Sequence, residues 1–178
     1  MKILKTWVML SLWMGSVGAQ AAGHAHPQAH QHGVAQLDIA VDARQITLQL
    51  SSPLDNLLGF ERAPRTEAER RQVQAMLDQL RAAATMFKID PAAQCTPAQV
   101  VLTSAALQLG PAQPADAGHA DLDGSFEFHC VAGAKATYVD VGLFAFARLQ
   151  RVEVQAVTPS GQHKRVLKRP NARIGLTK

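Results

Sequence analysis

Apolar residues recurring at every second position are the feature that most limits what this chain can become. Ala35, Leu37, Ile39 and Val41 alternate with Gln36, Asp38 and Asp42, and Ile46, Leu48 and Leu50 resume the pattern after Asp42-Ala43-Arg44. Side chains of an extended strand alternate between two faces, so this period predicts strands buried on one side only. The short polar break between the two runs predicts a β-hairpin. Residues 100–109, 122–131, 138–144 and 151–157 read as further strands. Thr158-Pro159-Ser160-Gly161 then forms a turn into a last, basic strand around residues 163–168.

One segment changes period. Thr66 with Glu69 three residues on is a capping box, in which each side chain satisfies an amide left unpaired at a helix start. Val73, Met76, Leu77, Leu80, Ala84 and Phe87 then share one helical face. Residues 51–65, with two prolines and Gly59, read as a loop before it. The expected fold is α+β: an antiparallel sheet of six or seven strands, mostly joined by hairpins, with one main covering helix. Residues 34–178 are expected to form this as a single domain without internal repeats.

The chain start speaks to compartment. Lys2 and Lys5 precede an apolar stretch at residues 7–17, and Ala19-Gln20-Ala21 offers the small residues that a signal peptidase reads. Residues 1–21 are thus expected to be a signal peptide, and the mature chain to lie in the periplasm with no membrane span. A membrane anchor is the competing reading, but the stretch falls short of the ~20 residues a span needs. The two lysines supply two of the four net positive charges. The weak basicity left, with few aromatics, lacks the stacking stripe of a nucleic-acid binder.

Cys95 and Cys130 are the only cysteines. In an oxidising compartment an even count suggests a disulfide. A catalytic cysteine is the alternative, disfavoured there as a lone free thiol.

Four of the seven histidines, His24, His26, His30 and His32, fall within a polar leader at residues 22–33 that shows no hydrophobic period. Neutral imidazole ligates zinc, copper and nickel, and spacings of two, four and two let a pliable chain fold several nitrogens around one ion. An incidental soluble tract is the plainer reading. If cleavage follows Ala21, the new terminus Ala22-Gly23-His24 offers a four-nitrogen planar set suited to copper(II) or nickel(II).

A second set lies ahead of Cys130. In an extended chain His119, Asp121, Asp123, Glu127 and His129 point one way, and Leu122, Phe126, Phe128 and Cys130 the other. The five are either a polar solvent face or nitrogen and oxygen ligands for a metal. Gly124 threatens to break their register. No nucleophile elbow, phosphate loop or zinc-protease helix motif is present, so no catalysis is expected.

Several stretches together resemble the ZrgA-like periplasmic zinc-uptake accessory proteins. They are His32-Gly33-Val34-Ala35-Gln36-Leu37-Asp38-Ile39; Ser52-Pro53-Leu54-Asp55-Asn56-Leu57-Leu58-Gly59-Phe60-Glu61-Arg62-Ala63-Pro64-Arg65; and Phe126-Glu127-Phe128-His129-Cys130. Leu143-Phe144-Ala145-Phe146-Ala147-Arg148-Leu149 and Val152-Glu153-Val154-Gln155 with Ser160-Gly161-Gln162 extend the likeness over nearly all the mature chain. The resemblance implies a protein that binds zinc and assists its import by a separate transporter. Relatives typically carry a long His/Asp-rich insertion before the Phe-x-Phe-x-Cys-like strand, here reduced to Gly118-His119-Ala120-Asp121-Leu122-Asp123. Arg62 stands where they often have histidine. A different class, an envelope interaction module with incidental histidines, would use the loop at residues 52–65 as its surface.

Overall fold

The computed structural model describes residues 31–111 and 120–177. Nine strands form: β1 (Val34–Val41), β2 (Gln45–Pro53), β3 (Phe87–Ile89), β4 (Cys95–Thr103), β5 (Asp121–Cys130), β6 (Tyr138–Val141), β7 (Arg151–Thr158), β8 (Gly161–Lys168) and β9 (Arg173–Gly175). Three helices accompany them, α1 (Leu54–Leu58), α2 (Glu67–Arg81) and α3 (Ala83–Met86). Six strands make one sheet in the order β4-β5-β2-β1-β7-β8, and three make a small second sheet, β3-β6-β9.

The fold is therefore mostly β, and the expected antiparallel sheet with one covering helix needs correcting. The large sheet is mixed, because β1 pairs with β2 antiparallel but with β7 parallel, Leu37 opposite Val154. Both expected hairpins are present, β1 with β2 and β7 with β8. Between them the chain adds β5 and β4 beyond β2, then returns to lay β7 along the other side of β1. Alternation reports which face is buried, not the direction of a neighbour, so nothing in the apolar period distinguishes the two pairings.

The large sheet buries one face. Leu37, Ile39, Ile46, Leu48, Leu50, Leu122, Phe126, Phe128, Val152, Val154 and Ala156 are almost wholly inaccessible. They form one core with Leu54, Met76, Leu77 and Leu80 of the helices and Phe87, Val139, Val141 and Ile174 of the small sheet. Phe87 meets Phe126 edge to face across the layers, ring centres 4.7 Å apart. Each fully buried side chain of this size stabilises by roughly 1.5–3 kcal/mol relative to exposure.

Thr66 caps α2 as expected: its side chain accepts from the Glu69 amide, and Glu69 reaches back to the Thr66 amide. The helix ends sooner than its apolar face suggested, because Ala82 leaves the helical region (φ −75°, ψ 59°). Phe87 consequently enters the core from β3 rather than from a helix. Residues 51–65 are not simply a loop. β2 continues to Pro53, and α1 packs Leu57 and Leu58 into the core before Gly59 ends it at φ +83°. Cys95 and Cys130 form the disulfide, directly opposite each other on β4 and β5.

Candidate functional site

The described chain begins at the foot of the leader, and the first thing it does is dock on α1. Gly33 takes a left-handed φ of +80°, which glycine adopts without steric cost. Its N–H donates to Oδ1 of Asn56 (2.6 Å), and its carbonyl accepts from the amides of Gln150 (2.8 Å) and Arg151 (2.9 Å). The Asn56 amide also donates to the Val34 carbonyl (2.8 Å). Asn56 is 1 % exposed, so a buried amide holds the residue next to His32 from both sides. Burying such a group is favourable only when its bonds are made, and here they are.

His32 is held in turn. Its Nδ1 lies 2.9 Å from Oδ2 of Asp55, the residue before Asn56 on α1. A carboxylate only accepts, so Nδ1 carries the proton and the neutral ring keeps its lone pair on Nε2. The His32 side chain is 69 % exposed and that of Asp55 only 13 %, which makes Asp55 the fixed member and His32 the presented one. Arg148, before β7, donates from its guanidinium to Oδ1 of Asp55 at 3.0 Å. Gly59 packs beside this arm, where a Cβ would make only ordinary contact with Arg148 (3.6 Å), so its left-handed φ of +83° is what calls for glycine.

The electrostatics follow. The hydrogen bond from His32, followed by that from Arg148, holds the Asp55 carboxyl below its usual range against a desolvation cost. Asp55, with a smaller push from the charge of Glu61, raises the imidazole of His32 above its ordinary value. An imidazole whose far nitrogen is bound to a carboxylate is the arrangement that orients metal-ligating histidines and makes them more basic. The leader pattern singles out His32. Asp55, Asn56 and Arg148 escape it, because nothing in their local sequence marks them as its partners.

The strand-borne set is also placed. β5 pairs with β2 in unbroken register through Gly124, which sits opposite Leu50. The feared break does not occur; Gly124 faces inward beneath Phe126, whose ring a Cβ would meet at 2.8 Å. Asp121, Asp123, Glu127 and His129 therefore share the outer face with Ser125. Positions two apart on a strand are ~7 Å apart, so Asp121 with Asp123, and Glu127 with His129, are neighbours, while one ion does not span the row. Facing His129 across the ladders are Thr96 and Gln45, and facing Glu127 are Gln99 and Thr47. Among the described residues no three His, Cys, Asp or Glu side chains are grouped to hold a metal ion.

Two geometric links join the sets. The Leu54 amide donates to the Ala120 carbonyl at 2.8 Å, and Asp121 pairs with Pro53. The entry to β5 and the foot of the leader are thus both anchored within three residues of α1. His24, His26, His30 and His119, the terminus Ala22-Gly23-His24 and the expected signal peptide at residues 1–21 lie outside the described residues. Arg62, at the position where relatives often have histidine, donates from both terminal guanidinium nitrogens to the Glu69 carboxylate (3.0 and 2.7 Å) and lies over the Phe60 ring. Its role is to fix the start of α2.

Among the described residues no helix is long and apolar enough to cross a membrane. No match is found among curated proteins. A family model described as ZrgA family zinc uptake protein matches residues 29–176, which include the docked leader foot, α1 and every strand. The chain belongs to the ZrgA family of zinc uptake proteins.

Proposed function

We propose that this chain is an exported, non-catalytic zinc-binding protein of the periplasm that captures zinc and assists its uptake by a separate import system. The signal peptide at residues 1–21 delivers it, and the leader at residues 22–33 collects the ion. The observation that carries the reading is the His32–Asp55 pair. A carboxylate fixed on a buried helix turns one histidine of the histidine-rich tract into an oriented ligand with Nε2 outward.

His24, His26 and His30 supply further imidazoles on the same segment. Four-coordinate zinc accepts such a set, with water or a carboxylate completing it. Asp121, next to the anchor of β5 on α1, is the folded domain's contribution, with His119 two positions ahead of it in the sequence, and Glu127 with His129 form a separate pair. Copper and nickel compete for the same nitrogens, but membership of a zinc uptake family favours zinc.

The test is the metal content and N-terminus of the protein recovered from the periplasm. The reading expects cleavage after Ala21 and zinc as the dominant bound metal. A chain retained in the cytoplasm with residues 1–21 intact, or one recovered without zinc under replete conditions, contradicts it.

A further inference from the structure

The far side of the large sheet carries a feature that zinc capture does not use. β8 is an edge strand, eight residues long, paired in a ladder only with β7. On its outer edge the Lys164 carbonyl accepts from the Arg165 guanidinium (3.1 Å) and the Lys168 carbonyl from the Asn171 amide (2.8 Å), while the row between them has no strand beside it. Beside it lies an open groove of about 630 Å³ lined by Arg165, Val166, Leu167 and the segment from Pro170 to Gly175. Val166 is 54 % exposed.

The charge of this edge is predominantly positive, since Glu153 of β7, opposite Val166, is itself paired with Arg151 (3.2 Å). Lys164, Arg165 and Lys168 lie on β8, and none of them is ion-paired with a carboxylate among the described residues. The groove's one carboxylate, Asp140, is already neutralised by two bonds from Arg173 (2.6 and 2.8 Å). Both faces of the strand are cationic: Arg165 lies opposite Val154 toward the groove, and Lys164 and Lys168 flank it on the other face. The opposite edge, β4, is interrupted by a register shift between Pro97 and Gln99 and has no such run.

We propose that β8 is a docking edge for an acidic, extended segment of a partner protein, which adds as a further strand alongside the groove. Open backbone groups supply the affinity in strand addition, and side chains select the partner. A second copy of this chain is a poor occupant, because β8 against β8 sets like charges opposite one another. A phosphate-rich membrane surface would match the charge but leave the backbone row unpaired.

Amide hydrogen exchange on the isotope-labelled mature protein tests this, with an acetylated, amidated octapeptide of alternating Glu and Thr as probe. The expected result is slowed exchange confined to β8, weakened by added salt. Arg165→Gln with Lys164→Gln should lower the affinity by about tenfold. The same octapeptide with Lys for Glu should give no protection. Equal protection by both peptides, protection at β4 instead, or no protection at all would overturn the proposal. So would binding to phosphatidylglycerol vesicles with no response to the acidic peptide. Lysines that serve only to keep an edge from self-pairing would produce the no-protection result. Zinc binding is measured separately at the leader, so either reading fails without the other.

Discussion

Nδ1 of His32 lies 2.9 Å from Oδ2 of Asp55, while Arg148 holds the other oxygen of the same carboxylate at 3.0 Å. The carboxylate thus fixes one ring nitrogen of His32 and leaves the other for a ligand. Asp55→Ala removes that orientation without touching an imidazole. Zinc affinity should fall about tenfold, at the lower end of what losing an orienting carboxylate costs. Arg148→Ala should change it far less. Calorimetric titration of the two variants separates them, and equal affinities would refute the orienting role.

Protons compete with zinc for imidazole. Because Asp55 raises His32, its ring should take up its second proton at a higher pH than an ordinary histidine at ~6.5. The sign for folding is the reverse of that for zinc. The protonated pair stabilises the fold below the unfolded value, and this contribution is lost as pH rises through the folded one. An NMR titration should place the His32 midpoint above the ordinary value in the native chain and return it there in Asp55→Ala.

The start of α2 is a second place where pH acts. The side chain of Arg62, then the backbone of Arg65, pull the Glu69 carboxyl down to about 2. Stability from this group is complete above its unfolded value and is lost as pH falls toward the folded one. In urea unfolding, the difference between the native chain and Glu69→Gln should shrink from about pH 5 to about pH 2. Thr66→Ala removes the other half of the box and should cost about 1 kcal/mol at neutral pH.

The disulfide closes a separation of 35 residues between an edge strand and its neighbour. In the chain-entropy model that loop stabilises by about 4 kcal/mol. Replacing Cys95 and Cys130 together by serine should lower the urea-unfolding free energy by about that much. An unchanged midpoint would show that the cross-link constrains little in the unfolded chain.

What the sequence makes legible divides along physical lines. Alternation in residues 34–50 and 122–130 is a local property, so the β1–β2 hairpin and the inward face of β5 are readable directly. The Thr66–Glu69 box is equally local. The parallel pairing of Leu37 with Val154 joins residues more than a hundred positions apart, and no period encodes it. β3 and β9 have three residues each, too few to show a period. At the site the histidines announce themselves by density. Asp55 does not, because Leu54-Asp55-Asn56-Leu57-Leu58 reads as a connector until α1 turns its polar residues toward the leader. The carboxylates of β5 share a face as their spacing suggests, but strand rise spreads them beyond reach of one ion.

Zinc titration of the mature chain against a form lacking residues 24–32 decides whether the leader is the zinc site. The intact chain should bind zinc more tightly and at higher stoichiometry, and deletion should remove the leader site while the fold survives. Equal affinity and stoichiometry in both forms would contradict the leader's role.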